Sequence, residues 1–453
     1  MEWIGGRLYP ATPERTVSPE KRSALGKKEP LSGAFFWLSA FYFIYCARPE
    51  DWIHILSYIP LAKITAIFAM LSLFVNFGKT PRRFKDLPKE ASYLLVLIVL
   101  LFASAFLSPV WKGGAFFGTI DFAKVYIAWI MTFLLITTLP RLRRIIFIQA
   151  VSVAIISFVA IVKGHSIPRL NGVIGGIYSN PNDLAFAIVL SLPFCLAFFV
   201  ASKSTFRKSA WCLGMLAMAT ALFLTASRAG FIDLVIAGAV CLWHFGVKGK
   251  RLYLIAGALL VGVVLLPVAG KTLEKRFSAI SSDALGSQLE ERARGSYEER
   301  KILINKSIDA MLHYPILGVG VGNFVVYSEI WKTVHVSYLQ VGAEGGIAVL
   351  ILYLLFFRRG FVNVNFLRRS HADAEAKLFA GALHSSLVGF VVGACFAPEA
   401  YQYFPYFAVC YTSVLVAMVK ERQPSTVPAV TLSASQRRLA QFYGRSRALN
   451  PAR

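Results

Sequence analysis

The chain has 453 residues, is 56% hydrophobic and only 16% charged, and has a mean hydropathy of +0.59, which excludes an ordinary soluble multidomain protein. Its formal net charge of +24 invites a nucleic-acid partner, but the placement of that charge, described below, excludes one. Six cysteines (Cys46, Cys195, Cys212, Cys241, Cys395 and Cys410) form no CxxC pair and read as small core residues rather than metal ligands or disulfide partners.

In chain order, residues 1–30 form a polar segment without the layout of a cleavable signal, expected on the cytoplasmic side. A helix needs about 20 apolar residues to cross the hydrocarbon core. The apolar stretches 31–47, 52–77, 91–108, 115–139, 145–163, 181–202, 209–226, 229–247 and 252–269 therefore predict nine transmembrane helices within 31–269. A long loop, 270–335, follows, with nine basic and eight acidic residues, and so is solvated and close to neutral. Within it, apolar positions 304, 308, 311 and 312 predict a helix over 298–313, ended by Pro315. The stretches 336–357, 377–397 and 403–419 bring the count to about twelve, and the basic tail 420–453 is expected to be disordered and cytoplasmic. The predicted fold class is all-α, a polytopic membrane bundle of about twelve transmembrane helices whose one long loop carries short helices.

Alternating these spans with the N-terminus inside places 19 Lys and Arg residues in the short inside loops and four in the short outside loops. This is the positive-inside pattern, so the basic excess marks topology. It predicts a membrane protein whose loop 270–335 lies on the outer, non-cytoplasmic face.

Polar residues near the spans gather at that outer face. Ser227-Arg228 interrupts the apolar stretch 209–247, with Ser227 placed to cap the second helix. A helix N-terminus carrying a guanidinium favours an anion, and the planar arginine fork suits phosphate, although a lone interfacial arginine more often anchors lipid headgroups. Asn180-Pro181-Asn182-Asp183 opens the sixth span with the residues that helix starts prefer, and its structural reading outweighs a functional one. Asp121 and Lys124 lie near the same side, and Arg300 opens the loop helix. His335, just before the 336–357 span, is the best acid–base candidate, since neutral imidazole accepts a proton near neutral pH; His165 and His313 are alternatives. Tyr338 shares its helix face, and Glu344 lies about 13 Å deeper at 1.5 Å per residue, where a carboxylate needs a partner.

Other signals carry less. The run Gly318-Val319-Gly320-Val321-Gly322-Asn323 lacks the Lys-Ser/Thr and the strand of a nucleotide loop. Gly342, Gly345 and Gly346 read as close-packing residues. Asp373-Ala374-Glu375 reads as solvated surface, whereas Glu50-Asp51 on the first outer loop could serve as a metal-binding or basic pair.

Four segments together resemble the bacterial O-antigen ligase and polymerase family: NPNDLAFAIVLSLPF at 180–194, SRAGFIDLVIAG at 227–238, ERKILINKSIDAMLHYPILGVGVGNF at 299–324 and HVSYLQVGAEGGIAVLILYLLFF at 335–357. The chain departs from the family pattern at Ala229, Ile304 and Val336, and its N-terminal CARPEDWIHILSYIPLAKI does not match the expected ligases. The resemblance implies an inverting glycosyltransferase that uses neither metal nor other cofactor. It would move a glycan from undecaprenyl pyrophosphate to a lipid A-core or glycan acceptor, among membrane lipids and with no nucleic acid. It further implies that Arg228 and Arg300 hold the donor pyrophosphate and that His335 activates the acceptor hydroxyl, with Tyr338, Glu344, Asn180, Asn182 and Asp183 in support. The rivals are a polymerase, a transporter of a lipid-linked sugar, and a metal-dependent enzyme working through Glu50-Asp51.

Overall fold

A computed structural model describes residues 2–4, 7–9, 31–164, 170, 173–265 and 288–422. Apart from a short antiparallel ribbon that pairs β1 (Glu2–Ile4) with β2 (Arg7–Tyr9), these residues build a helical bundle. Its helices are α1 (Ser32–Ala47), α2 (Leu61–Val75), α3 (Lys89–Leu107), α4 (Lys112–Leu135), α5 (Leu139–Lys163), α6 (Pro181–Ala201) and α7 (Thr205–Leu224). There follow α8 (Arg228–Leu242), α9 (Tyr253–Leu265), α10 (Gln288–His313), α11 (Ser337–Arg369), α12 (Ala374–Gly393) and α13 (Tyr403–Arg422).

A helix thus falls in each predicted apolar stretch, and eight among the described residues are long and apolar enough to cross a membrane. These are α3 to α6, α11 to α13, and α8 with the turn that follows it; α2 and α9 are shorter apolar helices. Many large apolar side chains face outward, Phe68, Leu71, Phe106, Leu259 and Val263 among them, as a lipid-facing surface requires.

The predicted boundaries shift at three places. The stretch 52–77 is broken, with a one-turn helix Pro49–Trp52 and a 3-10 turn His54–Leu56 before α2 starts after Pro60, which has no N–H to continue a helix. The loop helix starts at Gln288, ten residues before the expected 298. The 336–357 span continues to Arg369 and is kinked. The expected tail lies outside the described residues beyond Arg422, as does 270–287 of the long loop.

Helices α6 and α13 form the centre, each buried over 78% of its apolar window. Around them α12 packs on α6 and α8, α11 on α3, α12 and α13, and α5 on α1, α6 and α7. At one end, arginines counted above as topology signals close the last turn of α4. Arg82 donates to the carbonyls of Phe133 and Ile136, both at 2.9 Å, and pairs with Glu421 at 2.8 Å; Arg141 donates to Leu135 O at 2.9 Å. At the same end buried Glu90 receives Asn363 Nδ2 at 2.7 Å and lies 3.4 Å from Arg359 Nε.

The kink in α11 is at Gly346, where φ is 79° and ψ is 178°. That backbone region is essentially restricted to glycine. The break frees backbone groups inside the apolar bundle, and the glycine-rich segment after α10 satisfies them. Val319 N donates to Ala343 O and Gly320 N to Glu344 O, both at 2.9 Å, while Ile347 N donates to Pro315 O at 2.8 Å. The approach leaves no room for a Cβ. One on Gly346 would lie 2.4 Å from Ile316 O, and one on Gly318 (φ 65°) 2.5 Å from Ala343 O. Ser104 Oγ on α3 adds a bond to Glu344 O at 3.1 Å, and Ser108 Oγ one to Val319 O at 2.5 Å.

Gly346→Ala should therefore destabilise the protein by about 1–3 kcal/mol from backbone conformation alone, and by more once the Ile316 carbonyl is displaced. Gly262→Ala on α9, where a Cβ meets nothing within 4 Å, should not. Thermal unfolding of the two variants in detergent, against wild type, measures the difference.

Candidate functional site

The site is built at the end of the bundle where α6, α8, α11 and α13 begin and α3 and α12 finish. Each of the helix starts there follows from its local sequence. Asn180 caps α6 by accepting from Asn182 N at 3.0 Å, with Pro181 next, where a missing N–H costs nothing. Ser227 caps α8 by accepting from Gly230 N at 3.1 Å, following Ala226 in a left-handed conformation (φ 48°). The two caps are joined, since Ser227 Oγ donates to Asn182 Oδ1 at 2.7 Å. Arg228 follows as the first residue of α8, its residue only 8% exposed.

On α11, Ser337 is pinned to the end of α12 and the segment after it. Its N–H donates to Ala394 O and its Oγ to Ala397 O, each at 2.7 Å, and Glu399 N donates back to Oγ at 2.9 Å. Tyr338 OH donates to Val391 O at 2.8 Å. Tyr338 thus ties α11 to α12 through a backbone carbonyl, two residues into the helix that His335 precedes.

Helix α10 clasps the strand-like segment leading to His335. Tyr327 OH donates to Asp309 Oδ2 at 2.7 Å, Lys332 Nζ pairs with Glu299 at 2.6 Å, and Leu303, Ala310, Phe324, Val334 and Ala343 close a small apolar cluster beneath. This brings Arg300 near the other two predicted residues. Burial first, then the neighbouring Arg228 charge, lowers the Arg300 pKa, partly offset by Glu299. Burial first, and then the Arg300 charge, holds the His335 imidazole down to about 4. Arg300 therefore lies within electrostatic reach of both Arg228 and His335. Buried Arg300 Nε and His335 Nδ1 have no hydrogen-bond partner among the described residues. Two guanidiniums and a neutral imidazole are residue types that could hold a polyanion beside a proton acceptor.

The remaining predicted residues separate into two groups. Asn180, Asn182 and Asp183 adjoin Arg228 through the joined caps. Glu344 instead sits at the α11 kink, fully buried, facing the Tyr401 hydroxyl and the Gly322 and Phe324 amides rather than a cation. Asp121 and Lys124 are exposed and paired with each other. Of the alternative histidines, His313 is exposed and 3.1 Å from Asp309, and His165 lies outside the described residues. Glu50 and Asp51 are both held by Arg48, at 3.0 and 2.6 Å, and among the described residues no group of three metal-ligating side chains forms. Asp373 and Glu375 pair with Arg422 and Arg143 at the opposite end.

Two buried acids escaped the sequence reading. Glu399, 3% exposed, faces Asp183 across the α6 start, so the joined caps and the α11 start share a pair of carboxyls. Asp233, 1% exposed, lies five residues after Arg228 against Gly393 of α12. Asp233 falls within one of the resembling segments and, as an ionisable residue inside a span, carried a signal of its own. Glu399 sits in the non-helical segment between two spans, where a lone acid is unremarkable.

Residues 213–354 match the family model described as O-antigen ligase, and this stretch holds Arg228, Arg300, His335, Tyr338 and Glu344. Over these residues the chain is similar to the O-antigen ligase family, and with its long apolar helices it is a multi-pass membrane protein. No curated protein matches the chain.

Burial and the facing Asp183 carboxyl raise the Glu399 pKa well above the usual carboxylate range. The folded state then keeps a proton that the unfolded chain releases above about pH 4.3, so stability falls as pH rises past that value. Glu399→Gln should flatten this dependence. Thermal unfolding in detergent between pH 5 and 8 should show a smaller loss for the variant than for wild type, and parallel curves would remove the argument.

Proposed function

We propose that this protein is a glycan ligase of the O-antigen ligase type, acting at the periplasmic face of the bacterial inner membrane. It would transfer a glycan from undecaprenyl pyrophosphate to a hydroxyl of lipid A core or another glycan acceptor. The observation that carries the reading is the electrostatic grouping of Arg228, Arg300 and His335, whose residue types suit a leaving diphosphate beside a hydroxyl to be deprotonated. Polymerisation, with a lipid-linked repeat as acceptor, uses the same donor chemistry. A transporter would place its ionisable residues near the midplane, whereas Arg228 and His335 sit at helix starts and Arg300 lies within the loop helix α10, not at its opening as expected.

In the proposed step His335 accepts the acceptor hydroxyl proton while that oxygen attacks the anomeric carbon. The bond from that carbon to the pyrophosphate oxygen breaks, and undecaprenyl pyrophosphate leaves with the electron pair. Attack from the opposite face inverts the anomeric configuration. Arg228 and Arg300 stabilise the charge that grows on the leaving group, which places the electrostatic work on side chains rather than on a metal. In the free protein the His335 ring is neutral at pH 7 and open to a proton, though held to about 4 it is a weak base. A bound diphosphate would offset the Arg300 charge and raise the ring's pKa where the proton is taken.

Reconstituted with an undecaprenyl-pyrophosphate glycan and acceptor, His335→Ala should lose about 10²–10⁴-fold in turnover. Arg228→Ala should lose about 10²–10³-fold. Normal transfer by both variants would sink the mechanism. The acid limb of kcat/KM, which reports the free protein, should lie near pH 4, and that of kcat should lie higher. Arg300→Gln, which removes a charge that depresses the ring, should move the free-protein limb upward.

A further inference from the structure

At the end of the bundle opposite Arg228, α8 runs into a π-helical turn, Trp243–Val247, closed by Lys248 N donating to Trp243 O at 2.9 Å. Such turns inside α-helices recur at functional sites. This one carries His244 against α12, where its Nε2 lies 2.9 Å from His384 Nδ1 with the rings at 85°. Two neutral imidazoles sharing one hydrogen bond keep one N–H and one bare nitrogen for other partners. The charged groups bearing on both rings are Arg368 of α11 and Lys248, and Lys248 Nζ also lies 5.7 Å from the Trp243 ring centre.

Trp243, His244, Arg368 and His384 border a cavity of about 320 Å³ completed by Ala239 and Val240, with Lys248 beside Trp243 outside its lining. That volume is at the lower end of small-molecule sites, about 300–1,000 Å³. Two fixed positive charges beside the imidazole pair oppose a metal cation there and favour an anion. The apolar wall formed by Ala239 and Val240 belongs to α8, whose apolar window is only 33% buried, and Trp243 is 53% exposed. A ligand in this cavity therefore has an apolar, lipid-facing side as well as a cationic one.

We propose that the cavity binds the phosphate headgroup of an anionic phospholipid. Arg368 and Lys248 balance its charge, the imidazole pair donates the remaining N–H, and an acyl chain runs along Ala239 and Val240. Basic pockets between transmembrane helices bind acidic lipid headgroups on the same physical grounds. The shared chemistry is the phosphate group, and the apolar wall selects a lipid over a free anion. This site is separate from the glycan-transfer reading and stands or falls without it.

The test is thermal unfolding of the full chain in a neutral detergent, titrated in separate arms with phosphatidylglycerol, phosphatidylcholine and inorganic phosphate. Phosphatidylglycerol should raise Tm saturably, whereas the other two should not. Arg368→Gln and Lys248→Gln, both exposed side chains, should each weaken the phosphatidylglycerol dependence about fivefold, the contribution of one basic residue beside an anionic lipid. Arg207→Gln, equally exposed at the same end but outside the cavity, should leave it unchanged. A full shift from inorganic phosphate alone, or an equal weakening by Arg207→Gln, would overturn the proposal. Photo-crosslinking of a diazirine phosphatidylglycerol to wild type decides independently of variant folding. Label on peptides spanning 239–248 or 368–384 supports the site, and label only elsewhere overturns it.

Discussion

The break in α11 at Gly346 is the constraint on which the rest of this site depends. A helix interrupted inside an apolar bundle leaves backbone N–H and C=O groups that neither lipid nor apolar side chains can satisfy. Here the segment 315–320 supplies the missing partners through three backbone bonds, and Ser104 adds a fourth. The same contact anchors the end of α10, because Pro315 follows that helix by two residues. With α10 fixed, Arg300 is held within electrostatic reach of His335 and Arg228. A backbone requirement deep in the bundle thus sets the position of side chains at its end.

Around that anchor the polar groups form a connected layer rather than isolated pairs. The caps of α6 and α8 are tied through Asn182 and Ser227, Asp183 meets Glu399, and Glu399 N bonds Ser337 at the start of α11. The Ser227–Asn182 and Glu399–Ser337 links each satisfy a group that would otherwise be stranded at the apolar boundary. The consequence is that Arg228 and His335, 107 residues apart in number, are positioned by a common set of hydrogen bonds. The opposite end uses its charges differently, with Arg82 and Arg141 satisfying the last carbonyls of α4.

Much of this was legible beforehand, for identifiable reasons. Helix starts are signalled locally, so Asn180-Pro181 and Ser227 predicted their caps correctly. The apolar stretches predicted helices because length and hydropathy are local quantities. The reading faltered where a residue's role depends on a distant neighbour. Gly318 and Gly346 read as a loop and as a packing glycine, yet they meet each other's elements. Tyr338 read as a companion of His335, yet its hydroxyl reaches Val391 on α12. Glu344 read as a deep carboxylate in need of a partner, and the structure sets it facing Tyr401 and backbone amides.

By itself, the sequence determined that the chain is a helical membrane protein, where most of its helices begin, and which three residues are worth testing. Those properties follow from hydropathy, capping chemistry and a family motif, all carried by short stretches of chain. Only the tertiary structure decided that the Arg300 charge bears on His335 and the Arg228 charge on Arg300, and that Glu399 confronts Asp183. It also decided that a glycine-rich loop completes a broken helix. These depend on which backbone groups are left unpaired once the helices pack, and no local pattern encodes that.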